Sequence, residues 1–168
     1  MFTFITEELP NLLKTLSLPL DLTRQSIFGH SMGGHGALTL YLKKRNQYRS
    51  ASAFAPVSHP TKAPWGKKAF SNYLQGGIEE GESYDATCLL QQVKADGNIS
   101  ILVDYGDDDQ FYKDGQLLPE ALVDASKKAG FTQNNVNIRM QEGYDHSYYF
   151  ISTFAEEHIR FHAKHLKA

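Results

Sequence analysis

Apolar positions recur along this chain with two periods, and the switches between them mark out its elements. Phe2, Ile5, Leu9, Leu12, Leu13 and Leu16 fall at three- and four-residue steps, which predicts a helix with one apolar face. Pro10 lies inside that pattern and is expected to kink or delay the helix, since it has no N–H to donate. Residues 17–23 read as a connection. Short apolar runs then predict strands at 25–28, 49–54, 99–103 and 136–140, the third being rich in β-branched residues. Helical patterns occupy 34–44, 119–129 and 147–166. In the first of these Ala37, Leu38, Leu40, Tyr41 and Leu42 form the broad apolar surface of a helix buried against a sheet. The second has Pro119 at its start and Gly130 just past its end. In the closing helix Phe150, Phe154, Ile159 and Phe161 are buried candidates, whereas His158, His162 and His165 are expected in solvated or capping positions. From 57 to 95 the pattern loosens around Pro60, Pro64, Gly66, Gly76, Gly77 and Gly81, and only 65–74 and 86–93 look helical. So long a connection is expected to lie over the end of the sheet and shape a pocket. Strand–helix alternation predicts an α/β fold, a parallel sheet with helices on both faces.

Composition narrows the function classes. The chain has 168 residues, 41% hydrophobic and 21% charged, with 17 Lys plus Arg against 19 Asp plus Glu. That is enough chain for one domain with a real core, and it carries no basic field for a nucleic acid. No apolar run nears the ~20 residues of a membrane span. The first residues lack the basic start, apolar stretch and small-residue cleavage site of a signal peptide. Cys88 is the single cysteine, so no internal disulfide can form and a reducing compartment is compatible. No glycine-rich turn precedes Cys88, and it is read as a packed or partly exposed thiol.

The chemistry centres on Ser26-Ile27-Phe28-Gly29-His30-Ser31-Met32-Gly33-Gly34-His35-Gly36-Ala37-Leu38. An apolar run entering Gly-x-Ser-x-Gly and leaving as a small-residue helix is the sequence form of a nucleophile elbow. Ser31 is expected in a strained backbone conformation. Gly29 and Gly33 are expected to be glycine because a Cβ at either would strike the neighbouring strand or helix. The helix starting near Met32 would aim its backbone N–H at a developing oxyanion.

A serine hydroxyl needs a histidine to take its proton and an acid to orient that histidine. The chain offers the order Ser, acid, His found in α/β-hydrolases. Ser31, Asp107 to Asp109 and His146 all follow the C-terminal ends of strands, so a parallel sheet brings them to one edge. His146 is the histidine in the loop after the last strand and is the expected base. His30 and His35 are too near Ser31 in sequence to reach back easily. Asp145 adjoins His146 and is expected to point elsewhere. Spacing alone does not choose among Asp107, Asp108 and Asp109. The three are adjacent, whereas a calcium loop needs ligands at alternate positions together with a distal Glu.

Longer motifs add a resemblance. The elbow, Ala53-Phe54-Ala55-Pro56, Pro64-Trp65-Gly66-Lys67-Lys68-Ala69-Phe70, Asp108-Asp109-Gln110-Phe111, Asp114-Gly115-Gln116-Leu117-Leu118-Pro119 and Gln141-Glu142-Gly143-Tyr144-Asp145-His146-Ser147-Tyr148-Tyr149-Phe150 closely resemble the S-formylglutathione hydrolase (esterase D) family of the α/β-hydrolase superfamily, in order over essentially the whole chain. The resemblance implies a serine thioesterase that cleaves S-formylglutathione to formate and glutathione in formaldehyde breakdown. It implies Ser31 as nucleophile, His146 as base, Asp109 as acid and the Met32 N–H as an oxyanion donor. It further implies no cofactor, no catalytic metal, a cytoplasmic location and a homodimer. In that family the elbow lies near mid-chain. Residues 1–168 are therefore expected to be the C-terminal portion of a single α/β-hydrolase domain, with its first strands and second oxyanion donor upstream and its activity impaired. The alternatives are a general carboxylesterase or acyltransferase of the same fold, or an inactive fragment.

Overall fold

The computed structural model describes residues 1–94 and 99–167. Ala95, the last residue of the loosely patterned stretch, lies outside the described residues, as does Ala168. The chain opens with a wide π turn at Phe4–Glu8, then α1 (Leu9–Thr15). Pro10 cannot donate to the carbonyl four residues back, and the wider turn just before it absorbs the break, with the Leu9 N–H reaching the Phe4 carbonyl. The apolar face predicted here docks only in part. Phe2 and Ile5 pack against the core, while Leu12 and Leu16 are each 53% exposed.

The remaining elements are β1 (Gln25–His30), α2 (Met32–Lys43), β2 (Tyr48–Phe54), α3 (Pro64–Tyr73), α4 (Gly77–Gly81), a single 3-10 turn (Glu82–Tyr84), α5 (Ala86–Gln92), β3 (Ile101–Gly106), α6 (Gln110–Lys113), α7 (Pro119–Lys128), β4 (Val136–Gln141) and α8 (Tyr148–Lys167). All four strands pair in parallel in chain order, β1-β2-β3-β4. The two-residue period then sorts the side chains. Ala51, Ala53, Ile101, Val103 and Val136 face one side, where Leu38 and Leu42 of α2, Leu90 of α5 and Leu122 of α7 complete the main core. Ser50, Ser52 and Asp104 face the other side, beneath α8. Helices thus cover both faces, as the alternation predicts. β1 forms one edge of the sheet, with Phe28 63% exposed and Ile27 turned to the core.

The face under α8 overturns one expectation. His158 and His162 are 2% and 8% exposed, not solvated, whereas Ile159 is 64% exposed. The reason is that the sheet presents polar groups there, and the imidazoles are their partners. Ser26 Oγ lies 2.8 Å from Ser50 Oγ, and Ser50 Oγ 2.8 Å from His162 Nδ1. Ser52 Oγ bridges His162 Nε2 and His158 Nδ1 at 2.8 Å each, and His158 Nε2 lies 2.9 Å from Asp104 Oδ2. Arg139 grips both Asp104 oxygens at 2.7 and 2.6 Å, and Gln141 adds a bond at 2.9 Å. Burial alone would raise the Asp104 carboxyl, but the bonds from His158, Arg139 and Gln141 outweigh it and hold it below the ordinary value. A carboxylate only accepts, so His158 Nε2 donates. With both imidazoles neutral, every hydroxyl and ring N–H in the series then points one way, from Ser26 toward Asp104.

Burial, with repulsion from His158 and His165, lowers His162 from 6.5 to about 4. A histidine kept neutral in the fold but free to protonate when unfolded stabilises the protein fully above pH 6.5. That contribution is lost as pH falls toward 4, by roughly 3 kcal/mol in all. Urea midpoints of the wild type are expected to drop across this window, and His162→Gln should flatten the drop. An equal pH slope in the variant would show that the term resides elsewhere.

Candidate active site

The elbow is built by close backbone approach. Ser31 holds φ 56° and ψ −118°, outside the regions L-residues prefer, a cost of roughly 1–3 kcal/mol. Its N–H bonds the Phe54 carbonyl at 2.9 Å, and its carbonyl accepts the His35 N–H at 2.9 Å, so strand and helix both pin it. A Cβ on Gly29 would strike the Gly33 backbone. The expectation for Gly33 itself fails, because a Cβ there meets nothing within 4 Å. It is the Gly33 backbone, not its missing side chain, that crowds Gly29. The tight neighbour on the helix is Gly34, whose Cβ would lie 3.1 Å from the Gly29 carbonyl and from Pro56. Met32 is the first residue of α2, so its N–H has no carbonyl within the helix and is free for a ligand.

The other two candidates are brought together by two loops laced to each other. Gly106 ends β3 against the Tyr144 carbonyl, where a Cβ would collide. The Asp108 N–H then bonds the Tyr144 carbonyl at 3.0 Å, and Asp107 Oδ1 accepts the Gly143 N–H at 2.7 Å. Asp108 pairs with Lys113 at 2.5 Å. Of the three aspartates left open by spacing, Asp109 is the one that meets the histidine, its Oδ2 lying 2.5 Å from His146 Nδ1. The fully buried Asp109 also caps α6, its Oδ1 accepting the N–H groups of Phe111 at 2.8 Å and Tyr112 at 3.4 Å. Asp145 turns away and accepts the Ser147 N–H at 3.0 Å.

His146 sits between the rings of His30 and Phe111, at centroid distances of 4.4 and 4.6 Å. His30 therefore packs on His146 and does not take its place beside Asp109. Burial, followed by repulsion from His146, lowers the His30 pKa below the ordinary imidazole value. Asp109 occupies His146 Nδ1, which leaves Nε2 for a hydroxyl. Ser31 and Phe111 share a cavity of about 260 Å³ with Met32, Val57, Trp65, Gln116 and Leu117. Besides Ser31 its polar wall is Gln116, whose side-chain oxygen accepts the Trp65 N–H at 2.9 Å. Val57 and Trp65 come from the irregular stretch, which does shape a pocket. Cys88 is partly exposed; burial, then the charge of Asp85, pushes its thiol up to about 11, which is no nucleophile's value.

Residues 2–161 match the family model described as "Putative esterase". The chain belongs to this esterase family. It is 51% identical over 170 residues to the S-formylglutathione hydrolase of Rattus norvegicus, covering 100% of this chain and 58% of that protein. It is 49% identical to the S-formylglutathione hydrolase of Arabidopsis thaliana, over 99% of this chain and 57% of the relative. A solved S-formylglutathione hydrolase from Agrobacterium tumefaciens superposes with a TM-score of 0.87 at 42% identity, covering 99% of this chain and 57% of that one. The chain thus spans somewhat over half the length of these relatives. The fold is that of the α/β-hydrolase esterases, and among the described residues no helix is long and apolar enough to cross a membrane.

Proposed function

We propose that the site is that of a serine thioesterase acting on S-formylglutathione. The observation that carries this is the Asp109–His146 hydrogen bond, with the His146 ring packed on that of His30, the residue just before the strained Ser31. His146 Nε2 takes the Ser31 proton, and Ser31 Oγ attacks the formyl carbon. The oxyanion is met by the Met32 N–H. His146 then returns the proton to the departing sulfur, releasing glutathione. Water, activated by the same imidazole, frees formate from the formyl-enzyme. Asp109 keeps the proton on Nδ1 and stabilises the imidazolium. The relatives named S-formylglutathione hydrolase support this substrate, and we propose with it a cytoplasmic role in formaldehyde breakdown.

Turnover of S-formylglutathione should be measured beside a simple aryl ester, with mass analysis of the peptide carrying Ser31. A formyl adduct on Ser31 and a higher kcat/KM for the thioester are expected. Preference for the aryl ester would instead favour a general carboxylesterase.

A further inference from the structure

A second cluster of reactive side chains lies outside the candidate active site. His59 Nδ1 and Asp85 Oδ2 are 2.8 Å apart, and one ring nitrogen of His59, one carboxylate oxygen of Asp85 and the Cys88 Sγ all lie within 4.8 Å of one another. We propose that His59, Asp85 and Cys88 form a binding site for a thiophilic divalent cation such as Zn²⁺.

The donor set is a mixed nitrogen, oxygen and sulfur one. Those are the atoms Zn²⁺ takes, and three protein ligands leave a fourth position for water. At ordinary zinc bond lengths, neighbouring ligand atoms stand roughly 3.2–3.8 Å apart. The His59–Asp85 separation is below that span and the other two are at most 4.8 Å, so side-chain adjustment of about an ångström closes the site. The ion would take the place of the proton now shared between His59 and Asp85. The imidazole proton moves to Nε2, and the Cys88 thiol gives its proton to solvent.

The carboxylate is held as a ligand needs to be. Thr61 donates to Asp85 Oδ2 from its N–H at 3.0 Å and its hydroxyl at 2.7 Å. The N–H groups of Thr87 and Cys88 donate to Oδ1 at 2.9 and 3.2 Å. Such outer bonds fix the carboxylate and keep it ionised. Capping α5 accounts for the Oδ1 bonds. It does not call for an imidazole on the other oxygen with a thiol close by. The ligands come from two separate segments, the loop after β2 and the start of α5. The side chain of His59 is 16% exposed and Cys88 is partly exposed, which leaves an entry path.

Cys88 is the sole cysteine, which makes the test unambiguous. Titration of the reduced chain with Co²⁺ is expected to give a tetrahedral d–d spectrum and a sulfur-to-cobalt charge-transfer band, both abolished by one equivalent of Zn²⁺. Cys88→Ser should lose the charge-transfer band, and His59→Gln should weaken Co²⁺ binding at least about tenfold. On the unsubstituted chain, Zn²⁺ should also slow alkylation of Cys88 by iodoacetamide at least tenfold, a readout that needs no variant to fold. Absence of the band, unchanged affinity in His59→Gln, or alkylation indifferent to Zn²⁺ would each overturn the site.

Discussion

Replacing Ser31 by alanine is expected to abolish covalent labelling by a fluorophosphonate and to lower kcat by about six orders of magnitude. Alanine is the informative choice. Its Cβ meets the same steric limits as that of serine at φ 56°, so the variant loses Oγ without relaxing the elbow. The bonds from the Ser31 backbone to Phe54 and His35 are unaffected. The melting temperature should therefore stay close to that of the wild type while the chemistry disappears. Glycine would confound the result, since it also relieves roughly 1–3 kcal/mol of strain. Residual turnover would come from oxyanion stabilisation and binding alone. An alanine variant that labels or turns over like the parent would remove Ser31 from the mechanism.

Asp109→Asn should cost up to ~10⁴-fold in kcat, by presenting an N–H where the imidazole needs an acceptor. The variant separates two roles that Asp109 carries at once. An asparagine side-chain oxygen can still cap α6 through the Phe111 and Tyr112 N–H groups. Its amide nitrogen would then face His146 Nδ1 and force the proton onto Nε2, the wrong tautomer for a base. The fold is kept and the base is lost. Asp108→Asn is the matched control, since the Asp108 side chain pairs with the exposed Lys113 rather than with His146, and it should stay within a few-fold of the parent. A crippled Asp108→Asn beside a mild Asp109→Asn would reverse the assignment.

The elbow was legible because glycine spacing and an apolar run report backbone sterics directly. Even so, the sequence could not say which glycine was crowded, because that depends on how α2 crosses β1. The choice among Asp107, Asp108 and Asp109 was equally closed to spacing. It is made by the lacing of two loops around Gly106, a contact between segments some 38 residues apart in sequence, Gly106 and Tyr144. The short α4 and α6 escaped notice because they complete barely one turn, too little for a period to show. His158 and His162 are the instructive miss. They follow Phe150 and Phe154 at regular four-residue steps, so their position on the packed stripe was readable. Their polarity points to solvent where their period points to the core, and no local signal announces that the opposing strands carry Ser50, Ser52 and Asp104. The pairing of His59 with Asp85, 26 residues apart, was likewise invisible locally.

The hydrogen-bond series beneath α8 also bears on how this sequence can drift. Each interior member is donor to one neighbour and acceptor from the other, so none of them can change alone without stranding a buried partner. Ser26, at the outer end, can be lost at the expense of a single bond. Ser52, which joins the two imidazoles, cannot. Among relatives, Ser50, Ser52, His158, His162 and Asp104 should be inherited as a block or replaced as a block, with variation entering from the Ser26 end.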